Sequence, residues 1–252
     1  MARRDPDAVD QEQQGAQEEE EAVSYAQESR SLGLSVALIM PLVLLYQFGV
    51  VYSGSPVGNM AYVWITGPLS VLGTHATTAV NLVVLAAAIF ALCEVQRHGS
   101  LSLGFLGMMV LESLLYALVM FSGVIVAARF VCGTIQAYLA LGGVSERLLL
   151  LSLGAGVYEE LLFRLVLLGG GAWVMHEMFG FSKFWAAALA LVASSMLFSA
   201  AHHVGSLGEE VNGFVFVFRV LCGLVLGVVY LARGLGIAAW THALYNVLVL
   251  LQ

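Results

Sequence analysis

Seven apolar runs leave this chain few folds to adopt. They lie near Leu32–Tyr52, His75–Cys93, Met108–Val131, Leu148–Leu168, Phe184–His202, Phe214–Ala232 and Gly236–Leu251. Crossing about 30 Å of hydrocarbon takes about 20 apolar residues in a helix. Lipid offers no partner for backbone N–H and C=O groups, so each such run must bond its own backbone as a helix. The expected fold is therefore an all-α polytopic membrane protein. It has seven spans, or eight elements if SLSLGFL (residues 101–107) forms a short interfacial or re-entrant piece. Pro41 should kink the first span without abolishing it.

Composition agrees: 60% of the 252 residues are hydrophobic and 11% are charged. The net charge of −7 is unevenly placed, because residues 1–30 hold nine of the 17 acidic and three of the ten basic side chains. That head is rich in Glu and Gln and cannot bury enough apolar surface to offset the entropy of ordering. It is expected to be a disordered acidic tail, 1–30, ahead of a transmembrane domain, 31–252. It also lacks the cationic start and short apolar core of a cleaved leader, so the first apolar run should remain as an anchor.

Cys93, Cys132 and Cys222 are far apart, each within an apolar run. They read as buried small hydrophobes rather than disulfide or zinc partners. Orientation follows the basic residues. With a cytoplasmic N-terminus, Arg3, Arg4, Arg30, Arg97, Lys183 and Arg233 fall inside, and Arg129, Arg147 and Arg219 fall on the opposite face. The chain is thus expected in the cell membrane with its N-terminus in the cytoplasm, and no nucleic-acid partner is expected.

Against this background the stretch GVYEELLFRL, Gly156 to Leu165, is anomalous. Each ionised group near mid-membrane costs about 2.5–3.5 kcal/mol on insertion scales. Glu160 and Arg164 are four apart on one helix face and can pair. Glu159 points about 100° away and is not needed to neutralise Arg164. Two further runs carry polar groups at helical spacing. SSMLFSAAHH places Phe198 and His202 four apart, with His203 beside them. GIAAWTHALYNVLVL places His242 and Asn246 four apart. An isolated intramembrane His or Asn commonly serves as interhelical glue. Two carboxylates, a guanidinium, two imidazoles and an amide on three spans form the inventory for activating water and stabilising an oxyanion. The expected reaction is peptide-bond hydrolysis.

EELLFR (Glu159–Arg164), FSAAH (Phe198–His202) and HALYN (His242–Asn246) resemble, in order and spacing, the EExxxR, FxxxH and HxxxN motifs of the CPBP family. These are the CAAX prenyl endopeptidases and bacteriocin-processing intramembrane proteases, also called the Abi family. The resemblance covers about residues 146–250, which would be the catalytic core, with a cavity inside the membrane. It implies Glu159 as the general base with His202 assisting, Glu160 and Arg164 as supports, and His242 with Asn246 as the oxyanion site. Phe198 would pack, and His203 has no role in the pattern. The implied substrate is a membrane-anchored protein or peptide cut near its tail. Catalytically silent scaffolds or immunity proteins, and a proton-coupled transporter, are the alternatives; the inverted repeats expected of a transporter are missing.

No cofactor is favoured. HExxH is absent, and although Glu159, His202 and His242 could supply a His₂Glu zinc set, Asn246 is a poor zinc ligand and suits hydrogen-bond donation. Straight-helix arithmetic raises one difficulty. At 1.5 Å per residue, Glu159 and His242 fall about 10 Å, and His202 about 27 Å, from the cytoplasmic edge. The expectation is either a steeply tilted fifth span or one that begins outside the hydrocarbon. HVGSLGEEVNG (203–213) would then dip inward beside a wet cavity or form an ordinary exposed loop.

Overall fold

The structure is a computed structural model, and it describes residues 25–53, 60–97, 103–132, 146–205 and 208–251. The acidic tail up to residue 24 and the Cys132 side chain lie outside what is described. Every described element is helical. After a helical turn at 25–28 come α1 (Leu32–Ser53), α2 (Met60–Thr66), a 3₁₀ stretch (Gly67–His75), α3 (Ala76–Arg97) and α4 (Leu103–Cys132). The C-terminal half holds α5 (Glu146–Glu160), a π-helical stretch (Leu161–Gly170), α6 (Gly171–Glu177), α7 (Lys183–Ala201), α8 (Gly213–Arg233) and α9 (Leu235–Leu250).

Among the described residues four helices are long and apolar enough to cross a membrane, over Leu32–Gly49, Gly104–Val124, Lys183–Ala201 and Gly213–Arg233, and Leu235–Leu250 is a shorter apolar helix. The outward faces carry large apolar side chains, among them Phe48, Leu111, Val119 and Phe184. So many exposed hydrophobic groups suit lipid rather than water as the surrounding solvent. Two local expectations change, at residues 103–107 and at Cys93. Residues 103–107 are the first turn and a half of α4, not a separate interfacial piece. Pro41 sits inside a single helix, α1, which it does not abolish, in line with the sequence reading. Cys222 is buried as expected, but Cys93 is exposed on α3; in an apolar solvent a thiol gains little by turning inward.

The centre of the bundle is α9, which packs against α5, α4, α1 and α8. Its buried residues include Gly236, Ala238, Ala239, Thr241 and Ala243, small side chains that let neighbouring backbones approach closely. Ile39, Leu42 and Val43 of α1 meet Val157 of α5 and Leu235, Ala239 and Ala243 of α9 in one core cluster. Ala117, Met120 and Val124 of α4 meet Cys222 and Leu226 of α8 and Tyr245 of α9 in another. Gly234, at φ 88°, makes the abrupt turn between α8 and α9, a backbone conformation that L side chains resist.

The fourth apolar run does not stop near Leu168. Glu160, Gly170 and Gly171 all keep right-handed helical dihedrals, so α5, the π stretch and α6 form one rod from Glu146 to Glu177. A short turn then returns the chain through α7, which lies along the π stretch and α6. Glu159 lies 18 residues before the end of the rod, and His202 lies 19 residues after the start of α7. Antiparallel arms of nearly equal length bring the two residues level. Counting Glu159 from Leu168 rather than from Glu177 is what set it and His202 at different depths.

Gly156 sits where α5 crosses α9, and a Cβ there would lie 2.6 Å from the Ala243 nitrogen. Replacing it forces the helices apart at the level of Glu160 and His242. Gly156→Leu is expected to lower stability by about 1–3 kcal/mol, as overpacking does, read as a fall in melting temperature of the purified protein in detergent.

Candidate active site

Glu160 and Arg164 are the most deeply buried charges near this crossing, at 0% and 1% exposure. Glu160 Oε2 lies 3.1 Å from Arg164 Nε, the i,i+4 pairing that the sequence predicts. The oxygen is close enough for an ion pair yet not aligned for a hydrogen bond, so the attraction is mainly Coulombic. Arg164 Nη2 donates to the Gly223 carbonyl of α8 at 3.4 Å, and its guanidinium carbon stands 4.7 Å over the Phe198 ring. A cation over an aromatic face in a dry site is stabilised further.

The other oxygen of Glu160 has a partner that sequence spacing did not reveal. Glu160 Oε1 is 2.8 Å from His242 Nδ1. A carboxylate can only accept, so Nδ1 carries the proton and Nε2 faces away from Glu160. His202 is fixed in the same sense. Its Nδ1 is 2.8 Å from the Phe198 carbonyl, so its Nε2 is also left facing outward. Both Nε2 atoms face Glu159 Oε2, His242 at 3.8 Å and His202 at 4.0 Å. Two imidazoles tied at Nδ1 thus converge on one carboxylate oxygen.

Accessibility divides the group. Glu159 is 12% exposed and His202 26%, whereas Glu160 and Arg164 are sealed. A substrate or water can reach the first pair, and the second pair supports from behind. Phe198 is more than filler: its ring packs edge-on against His202 (5.0 Å), His242 (5.9 Å) and Phe163 (5.3 Å), and its carbonyl orients His202. Asn246 stands one turn beyond His242, and its amide donates to the Ser152 carbonyl of α5 at 3.3 Å. To serve an oxyanion it has to exchange that partner. His203 turns to α8, where its ring stacks 6.0 Å from Phe216.

The folded chain is thus of a recognisable class: a helical membrane protein with a buried acid, a sealed ion pair and two oriented imidazoles at one level of its bundle. Residues 145–248 match the family model described as Type II CAAX prenyl endopeptidase Rce1-like, and this match supports the CPBP/CAAX protease family and, at that level, a CAAX-type intramembrane endopeptidase. No curated protein and no solved structure is a match.

Removing Arg164 leaves Glu160 charged, buried and held only by His242. Arg164→Ala is expected to cost about 3–5 kcal/mol, as breaking one side of a buried pair does. Arg164→Lys, which keeps the charge, should lose less. Unfolding of both variants in detergent checks this.

Proposed function

We propose that this chain is an intramembrane endopeptidase that uses Glu159 to activate a water and cut a peptide bond near the tail of a membrane-anchored protein or peptide. The observation that carries the reading is the convergence of both Nε2 atoms on Glu159 Oε2 at 3.8 and 4.0 Å. Separations beyond hydrogen-bonding distance between polar groups are ones that a bridging water spans.

In this reading the water lies against Glu159 Oε2 and His202 Nε2, both acceptors. Glu159 takes its proton as the oxygen attacks the scissile carbonyl, and His202 steadies the second O–H. The carbonyl oxygen becomes an oxyanion and needs a donor. His242 supplies one when it is protonated at Nε2, because Glu160 stabilises the imidazolium through Nδ1–H. Asn246 adds a second donor once its amide leaves Ser152. Collapse of the tetrahedral intermediate expels the amine, which takes the proton held by Glu159. Arg164 keeps Glu160 charged throughout and so keeps His242 oriented.

Zinc is the second reading that these atoms permit. Glu159 Oε2, His202 Nε2 and His242 Nε2 would hold it, and the metal would supply an acidified water and polarise the carbonyl. Donor atoms around tetrahedral zinc stand about 3.4 Å apart, given bonds of about 2.0–2.1 Å. The spacing to Glu159 is wider on both sides, which favours the water. In the bilayer we read seven spans, with the N-terminus cytoplasmic.

Glu159→Gln is isosteric and should leave the protein folded while lowering cleavage of a farnesylated CAAX-tailed peptide by at least about 10²-fold. His202→Ala should fall in the same direction. Cleavage unchanged in both variants would remove the assignment. Wild-type turnover is expected to survive a strong chelator, with no stoichiometric zinc by elemental analysis. Activity lost on chelation and restored by zinc would instead establish the metal reading.

A further inference from the structure

The segment that follows His202 is fastened at several points. The backbone N–H of Glu209 donates to the His202 carbonyl at 2.9 Å, closing the end of α7. The Glu209 carbonyl accepts from His203 Nδ1 at 3.2 Å. The Glu209 carboxylate receives Arg219 Nη2 on both oxygens, at 2.7 and 2.8 Å. On the α8 side, the Phe216 carbonyl accepts from the Ser199 hydroxyl at 2.8 Å, and Asn212 caps the helix through its side-chain oxygen. Glu209 is therefore joined to the His202 backbone, to its neighbour His203, and through Arg219 to the second turn of α8.

We propose that Glu209 and Arg219 form a positioning clamp for His202, which sets the distance from its Nε2 to Glu159. The proposal rests on the reading of Glu159 as the base. Three observations carry it. The Glu209 side chain is 47% exposed, and ion pairs that open to solvent add little to stability. Its effect is therefore geometric: it holds the Glu209 backbone N–H against the carbonyl of His202, the residue that carries the imidazole. The Arg219 guanidinium has Nη1 buried without a hydrogen-bond partner, so the Glu209 contact at Nη2 is what holds the group in place. Finally, α7 packs on α8, α6 and the π stretch while His242 rides on α9, so the two imidazoles reach Glu159 from separate supports.

A small displacement of a reacting group costs rate more than binding. Arg219→Ala and Glu209→Ala are each expected to lower kcat on the farnesylated CAAX-tailed peptide by about 10- to 100-fold, with KM and melting temperature nearly unchanged. The charge-reversed double variant, Glu209→Arg with Arg219→Glu, should recover most of the loss. A readout free of turnover accompanies these. Nitrogen-15 histidine NMR in nanodiscs, in the Glu159→Gln background, should show the His202 Nδ1–H signal broadened or lost in Arg219→Ala and restored by the reversed pair. Wild-type kcat in the alanine variants, a loss confined to KM, no recovery in the double variant, or an unaltered His202 signal overturns the clamp. Full cleavage by Glu159→Gln overturns instead the reading beneath it, and the NMR result then still decides whether His202 is held by this pair.

Discussion

One carboxylate that never meets solvent organises the rest of this site. Glu160 is divided between Arg164 on its own rod and His242 on α9. Neither contact suffices alone, because a buried carboxylate needs a cation and a guanidinium needs acceptors. Arg164 in turn reaches the Gly223 carbonyl and the Phe198 ring, so α8 and α7 are drawn to the same charge. Four helical segments are aligned by satisfying two ions. The imidazole orientations follow from that alignment. The cost of burying Glu160 and Arg164 is thus tied to the placing of Glu159, the carboxylate that the pair does not itself require.

Much of this was legible in the residues. Seven apolar runs point to helices, and every described segment is helical; four of them have the length and composition of a span. The Glu160–Arg164 contact follows from i,i+4 spacing alone. The grouping of Glu159, His202 and His242 rested on the chemical inventory that the three runs make up and on the motifs they resemble. Arithmetic on straight spans opposed that inference, because apolarity says where a helix touches lipid and not where it ends. The fourth apolar run ends at Leu168, just before Gly169–Gly171, yet the helix continues through a π stretch to Glu177. Nothing in local composition announces π winding.

Other features were out of reach of spacing. The Glu160–His242 bond joins residues 82 apart and depends on how closely α5 approaches α9, which Gly156 permits. Phe198 was legible as a packing residue, but the role of its carbonyl in fixing the His202 ring is a backbone contact that side-chain patterns do not encode. Asn246 sits where i,i+4 spacing from His242 puts it, and only the tertiary packing supplies Ser152 as a nearer acceptor. Glu209 and Arg219 are separated by a helix start and share no periodicity, so their pairing appears only in three dimensions.

The two imidazoles that face Glu159 belong to differently supported parts of the molecule. His242 is embedded in α9, which is pressed on by four helices and has little side-chain bulk to yield. His202 ends a helix that leans on one side of the bundle. Disturbance of the bundle therefore has unequal routes to Glu159: through α9 it must move four neighbouring helices, through α7 only those on its own side.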